Sequence, residues 1–334
     1  MIEIDGSYGE GGGQILRTSI ALSSVCGKAV TIRNIRANRR TPGLSAQHLE
    51  AVRGVAILTD AEVKGLALGS TEVFFAPNEI KSGEYRLDIG TAGSIPLLLQ
   101  CLMPAAMYAD GPVCLEIKGG TDVRWSPSID YMRHVMLPTI AKMGYDAQID
   151  IIKRGYYPRG GGMVKAVIRP STKLKGVALE PPREIEIKGI SHCSRLPEHV
   201  AVRQAKSARS VLTKEGYDVQ ISIEASTTGE STGSGITLWC DGIGGCAIGE
   251  RGKPAEAVGR EATKSLLIGL KCGEAIDAHL SDQLIPYMAL ANGECSFTTR
   301  TLTPHTKTNI WVTRQFFDVQ FDVREDKLVR ITKK

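Results

Sequence analysis

An α+β fold, made of repeated βαβαββ units with a smaller α/β domain set into them, is what this sequence predicts, and three observations predict it. A strand followed by a Gly-rich turn and a helix occurs three times before residue 150, at 4–26, 88–107 and 113–143. Such recurrence at a loose period points to a repeated unit rather than to one doubly wound sheet. The composition then changes at Glu180-Pro181-Pro182-Arg183, which reads as a linker, and the chain returns to its earlier style near residue 276. The predicted division is a large domain over 1–180 and 276–334 and an inserted α/β domain over 181–275.

Taken in order, Ile2 and Ile4 alternate with acids as a short strand. Gly9-Glu10-Gly11-Gly12-Gly13-Gln14 then opens a helix whose apolar residues Ile15, Leu16, Ile20, Leu22 and Val25 keep helical spacing up to a stop at Gly27. A glycine run at a helix start exposes backbone N–H groups beside the positive end of the helix dipole, a general anion site; the alternative is a turn that serves packing alone. It is not a P-loop, because no Gly-Lys-Ser/Thr follows. Glu10 beside such a site can hold Mg²⁺, and Arg17 lies one turn into the helix.

A strand over 29–36 runs into Arg33, Arg36, Arg39 and Arg40 and a Pro42-Gly43 turn, before a helix from about Ser45 to Thr59 carrying Gln47 and His48. Arginines with no interleaved acid suit bidentate contact with phosphate oxygens, although most charge runs are solvated surface. After another pair of strands, Asp88 to Ser94 turns the chain into an apolar helix over Ile95–Met107, with Gln100 as its lone amide. Such a group is satisfied locally or faces a cavity. A third round gives a strand over Val113–Ile117, the turn Gly119-Gly120-Thr121-Asp122, a helix over about Ser126–Met143 and strands to Ile152. The turn Tyr156 to Gly162 and a strand over Met163–Ile168 close it.

Within 181–275 the pattern predicts strands over Ile185–Ile190, Val219–Ile223 and Ile236–Cys240, and helices over about Glu198–Glu215 and Pro254–Leu270. No acid, base or metal-ligand set converges there, so no chemistry is expected from it, and His192 and His199 read as structural or exposed. Next comes a helix carrying His279-Leu280-Ser281-Asp282-Gln283, then a strand over Glu294–Thr299.

The stretch Thr303-Pro304-His305-Thr306-Lys307-Thr308-Asn309 precedes a β-prone run, Ile310-Trp311-Val312-Thr313, expected as a strand, with a further closing strand around Val319–Val323. A histidine among hydroxyl and amide groups has its ring held and one nitrogen free, which reads as a positioned nucleophile or base; the alternative is a surface-loop histidine bonded to nearby threonines. An imidazole titrating near pH ~6.5 is largely neutral at pH 7 and can attack phosphorus without first losing a proton.

Composition bounds the function. The 42% hydrophobic and 23% charged content of 334 residues is that of a globular chain. A net charge of +5 is too small for a general nucleic-acid coat, so an anionic partner must be met by local arginines. The eight cysteines are scattered with no CxxC, as reduced thiols rather than a zinc site. The apolar run at Ile95–Met107 is shorter than the ~20 residues a membrane span needs. Met1-Ile2-Glu3-Ile4-Asp5 begins as a strand, not a signal peptide, so a cytoplasmic location is expected.

Together Glu10-Gly-Gly-Gly-Gln-Ile-Leu-Arg17, Arg36-Ala-Asn-Arg39-Arg40-Thr-Pro-Gly43 with Gln47-His48-Leu49, Gly90-Thr-Ala-Gly93-Ser94, Gly119-Gly-Thr-Asp122, Tyr157-Pro-Arg-Gly-Gly-Gly162, Ser281-Asp-Gln-Leu284 and His305-Thr-Lys-Thr-Asn309 resemble the RNA 3′-terminal phosphate cyclases over essentially the whole chain. The resemblance implies repeated βαβαββ units similar to the translation initiation factor three C-terminal fold, and an inserted domain near 181–275. It implies a nucleotidyl-transfer ligase that uses ATP and a divalent metal to turn an RNA 3′-phosphate into a 2′,3′-cyclic phosphate, releasing AMP and pyrophosphate. His305 would become adenylylated. Gln100 and His279-Leu280-Ser281-Asp282-Gln283 would hold the nucleotide, and Glu10 the metal. Arg17, Arg39, Arg40 and Gln47 would meet phosphates of ATP or the RNA end. Some relatives carry an aromatic where His279 aligns. Two alternatives stay open: a noncatalytic relative that assembles on ribosomal RNA, which would lack the histidine, and an enolpyruvyl transferase, which would need no protein–AMP intermediate.

Overall fold

The computed structural model describes residues 1–334 as a mixed α/β structure with four small sheets. In the first sheet β1 (Ile2–Asp5) pairs parallel with β2 (Val30–Arg33), Ile4 opposite Ile32, because the connecting α1 (Gly13–Cys26) crosses over between them. After α2 (Ala46–Leu58) come β3 (Glu62–Lys64) and β4 (Val73–Ala76), and the sheet order is β1-β2-β4-β3. The second sheet follows the same order: β5 (Gly83–Asp88) and β6 (Val113–Gly119) run parallel across α3 (Ile95–Ala106), and β8 (Gly162–Ile168) lies between β6 and β7 (Ala147–Lys153). Alternation in β6 and β8 is strict, with Val113, Leu115, Ile117, Val164, Ala166 and Ile168 buried.

The helix expected over Ser126–Met143 is shorter and interrupted. It starts at α4 (Ile129–Tyr131), capped by Ser128, widens into a π-turn over Met132–Met136 and continues as α5 (Leu137–Ala141). Pro138, which lacks an N–H, stands at the start of α5, where a regular ladder would need that donor.

The third sheet comprises β9 (Ile187–Ser194), β10 (Val219–Ser226), β11 (Gly233–Cys240) and β12 (Ile243–Ile248), in the order β10-β9-β11-β12, with α6 (His199–Lys214) and α7 (Ala255–Cys272) packed on it. β12, Ile-Gly-Gly-Cys-Ala-Ile, was not expected. Its glycines hide the strand pattern, and Gly244 and Gly245 are small because Tyr131 and the backbone of α7 press against them. The chain closes with α8 (Ala278–Leu290), β13 (Cys295–Thr299), α9 (Pro304–Phe316), β14 (Phe321–Glu325) and β15 (Val329–Lys333).

α9 overturns the strand expected at Ile310–Thr313. Thr303 caps it by accepting from the Thr306 N–H, and Pro304 begins it. Thr306, Asn309, Val312, Thr313 and Phe316 are buried at helical spacing. A cap and a face to bury outweigh the strand preference of three β-branched residues and a Trp. Apolar burial forms two separate clusters, one of 60 residues and one of 16, the smaller lying wholly within 187–270. All eight cysteines are free thiols. No helix is long and apolar enough to cross a membrane.

Candidate active site

The glycine turn between β1 and α1 meets the first turn of α9. Glu10 Oε2 lies 2.6 Å from Nδ1 of His305, with both side chains about half exposed. Tyr8 stacks on Trp311, ring centroids 4.0 Å apart and planes 9° from parallel, which ties the turn to α9. Gln14, in the first turn of α1, donates from Nε2 to the His305 carbonyl oxygen at 3.1 Å and to Asp282 Oδ2 at 3.0 Å. One buried amide thus joins α1, α8 and α9. Ser281 Oγ and Thr306 Oγ1, 2.7 Å apart, lock α8 against α9. Asn309 donates to the Asp282 carbonyl oxygen at 2.7 Å and accepts from Thr18 Oγ1 at 2.9 Å.

The hydroxyl and amide groups around His305 therefore hold the helices, not the ring. The ring is held by Glu10, and Nε2 makes no hydrogen bond within the chain. Burial lowers the imidazole pKa; Glu10 opposes that shift, and Arg17 and Arg39 add to it.

The start of α2 closes the site from another side. His48 Nδ1 is 2.6 Å from Ser45 Oγ, and its Nε2 faces Gly13, where a Cβ would stand only 1.9 Å away. No other residue fits at position 13 without moving His48. Burial, with Arg17 and Arg36 nearby, pushes His48 down to about 3, so it is neutral. Gln47 Oε1 accepts from the Ser94 N–H at 2.9 Å, joining the start of α2 to the start of α3. The N-terminal ends of α1, α2, α3 and α9 thereby gather round one surface, and their dipoles favour an anion there.

The arginines separate into distinct settings. Arg17 is half-buried; burial lowers its pKa while Cys101 and Asp282 oppose, and a guanidinium still stays charged. The Arg39 guanidinium lies over Gly12, its Nη2 2.8 Å from where a Cβ would be. Arg40 is exposed with no ion pair or side-chain hydrogen bond. Arg36 instead donates to the Gly43 carbonyl oxygen at 2.7 Å, shaping the loop from a left-handed backbone position.

On α8 the expected residues divide by face. His279 is exposed, Asp282 is partly so, and Gln283 accepts from Gln100 Nε2 at 2.9 Å, giving the lone amide of α3 its partner. Leu280 and Ser281 are fully buried, so their side chains serve packing and helix docking. For a metal, Glu10 brings one half-exposed carboxylate. That suits Mg²⁺, which keeps waters and takes phosphate oxygens rather than a protein cage. Sequence reasoning missed Gln14, Thr18 and Asn309 as the links between helices. Their signal was weak: polar residues one helical turn apart on faces otherwise apolar.

Comparison with known proteins agrees with the sequence resemblance. Residues 8–323 match the family model described as RNA 3′-terminal phosphate cyclase. Proteins named RNA 3′-terminal phosphate cyclase from Methanococcoides burtonii and Methanosarcina mazei are 55% and 52% identical to this chain. Each alignment covers 99% of both chains in the first case and 97% of both in the second. The one from Methanopyrus kandleri is 50% identical over 97% of this chain and 95% of its own. Among solved structures, the enolpyruvyl transferase NikO from Streptomyces tendae has a TM-score of 0.37 at 8% identity, covering 98% of this chain and 47% of that one, a likeness that weak describing neither fold nor activity. With the match spanning the glycine turn, the arginine loop and His305, the chain belongs to the RNA 3′-terminal phosphate cyclase family.

Proposed function

We propose that this protein uses ATP to convert an RNA 3′-terminal phosphate into a 2′,3′-cyclic phosphate. His305 Nε2 attacks the α-phosphorus of ATP; a P–N bond forms, the P–O bond to pyrophosphate breaks, and pyrophosphate leaves. An oxygen of the RNA 3′-phosphate then attacks the same phosphorus, the P–N bond breaks, and RNA-3′-pp-5′-A results. The vicinal 2′-OH attacks the 3′-phosphorus, losing its proton, and AMP leaves as the ring closes. Activation is needed because a phosphate monoester dianion repels the incoming hydroxyl and lacks a good leaving group.

The single observation that carries the reading is the contact of Glu10 Oε2 with His305 Nδ1, which leaves Nε2 as the uncommitted nitrogen of a ring whose basicity is lowered. Glu10 holds the ring and, with Mg²⁺ bound, would serve as its protein ligand; the ion supplies charge neutralisation on the triphosphate. Arg17, Arg39 and Arg40 meet phosphates of ATP or the RNA end, joined by the free amide of Gln47. Gln100, His279, Asp282 and Gln283 border the nucleotide, with Leu280 and Ser281 supporting them from the core. The same reading takes the fold as repeated βαβαββ units with 181–275 inserted, which the matching strand orders and the separate small core support. It places the protein in the cytoplasm, where ATP and RNA ends meet.

The test is incubation of wild type and His305→Ala with magnesium and ATP labelled at the α-phosphate, followed by denaturing electrophoresis and acid treatment. An acid-labile label on wild type alone is expected. Label on His305→Ala, or none on folded wild type free of prior adenylylation, overturns the reading.

A further inference from the structure

Away from His305, the sheet of residues 187–248 meets the turn after β6, α4 and the end of β7 through buried ionisable groups. Asp122 on the turn, Asp130 in α4 and His192 on β9 are 2%, 0% and 1% exposed. Each offers a ligand atom within 4.8 Å of the others. His192 Nε2 lies 3.4 Å from Asp122 Oδ1 and 3.8 Å from Asp130 Oδ2. Donors bound to one dication at about 2.0–2.2 Å stand roughly 3–4 Å apart, so the gap between His192 Nε2 and Asp122 Oδ1 matches an edge of a coordination shell, with Asp130 alongside.

The hydrogen bonding leaves donors free for such an ion. Arg154 Nη1 donates to Asp130 Oδ2 at 2.7 Å and to Asp122 Oδ2 at 3.4 Å, and Thr121 Oγ1 donates to Asp122 Oδ2 at 2.7 Å. The Oδ2 atoms are thus taken. Asp130 Oδ1 and His192 Nε2 are buried with no protein hydrogen-bond partner, and Asp122 Oδ1 has only the 3.4 Å approach of His192. His192 Nδ1 is 2.7 Å from Tyr156 Oη, a contact that lets Nδ1 carry the proton and presents Nε2 as a bare ligand.

Charge points the same way. Arg154 also binds Glu224, so three carboxylates face one guanidinium, an excess of negative charge that a bound cation would offset. A cavity of about 370 Å³, lined in part by Asp122, Ser128, His192, Thr237 and Cys246, borders two of the three residues and leaves room beside them for water.

We propose that Asp122, Asp130 and His192 bind a divalent transition-series cation of the Zn²⁺ type, which clamps the 187–248 sheet to the rest of the molecule. One imidazole with two carboxylates favours such an ion over Mg²⁺ or Ca²⁺. The site is separate from Glu10 and needs no nucleotide.

Full-length protein stripped with a chelator, in ATP-free buffer, is titrated with ZnCl₂ by calorimetry and with CoCl₂ by visible absorption; metal retained after desalting is measured by mass spectrometry. About one equivalent per chain is expected, with a raised unfolding temperature. Uptake persists in Glu10→Ala and is lost in His192→Ala and Asp130→Asn. It weakens by about tenfold or more in Tyr156→Phe, which keeps the buried ring but releases the imidazole. The stripped wild type decides the matter even where a variant fails to fold. No stoichiometric uptake by it, or uptake that survives His192→Ala, overturns the proposal. An imidazolium signal for His192 in metal-free protein, without metal uptake, marks the cluster as an ion-pair network alone.

Discussion

Asp282 sits between Gln14 and Arg17, and burial there pushes its carboxyl from an ordinary 3.8 up to about 7 despite the opposing pull of Arg17. Between those values the folded protein holds a proton that the unfolded chain has released. The contribution to stability is therefore fully present below about pH 4 and is lost as pH rises through 7. Asp282→Asn removes the titration and keeps an oxygen to accept from Gln14. It should unfold later than wild type at pH 8, by on the order of 1–2 kcal/mol, and alongside it at pH 4. Thermal melts at the two pH values check this, and equal gaps at both would show that Asp282 carries no such burial cost. The polar and charged residues that gather here, Glu10, Arg17, Arg39 and His305, are legible in the chain because unusual residues in short motifs announce themselves. Leu280 and Ser281 were not, because five consecutive residues on a helix cannot face one site: 3.6 residues complete a turn.

At the scale of elements, α9 carries the most consequence. Its first turn presents His305, and Thr303 fixes where that turn begins. Thr303→Ala removes the cap and the contact of Thr303 Oγ1 with Thr306 Oγ1, which in turn touches Ser281. A loss of about 1 kcal/mol in stability is expected, seen as a drop of a few degrees in the melting temperature. Because the fraying falls at His305, the rate of ATP-dependent labelling should fall further than stability does. Unchanged labelling in a destabilised variant would detach the cap from the chemistry. Helices with clear periodicity and glycine stops, such as α1 with Gly27 at φ 63°, were readable from the chain. α9 was misread as a strand because its buried face is made of threonines, an asparagine and β-branched residues, whose local preference only neighbouring helices override.

For the whole molecule the decisive feature is the pair of apolar cores. The 16-residue cluster within 187–270 buries far less than the 60-residue cluster, and polar contacts such as Arg154 with Glu224, Tyr156 with His192 and Ser128 with Thr237 span the boundary. Local opening follows buried apolar area, so amides of β9–β12 should exchange through a sub-global opening at lower denaturant than those of β1, β2, β5 and β6. Native-state hydrogen exchange measures this. Coincident opening of all four sheets would show that the boundary contacts couple the cores into one cooperative unit. The change of composition at residues 180–183 is visible in the chain, whereas the contacts between the two cores are not, because Asp122, Asp130, Arg154 and His192 are separated by up to seventy positions.

What the sequence determined by itself was local: most strands and helices, the glycine turns, and the residue types able to handle phosphates. Periodicity, turn chemistry and short motifs act over a few neighbouring positions, and those are written directly in the chain. Which nitrogen of His305 stays free, that Gln14, Thr18 and Asn309 tie the helices together, and that His192 is buried beside two aspartates were decided only by tertiary structure. Each depends on groups brought together from distant positions, where burial removes water and leaves every polar atom to find a partner or keep a place open for one.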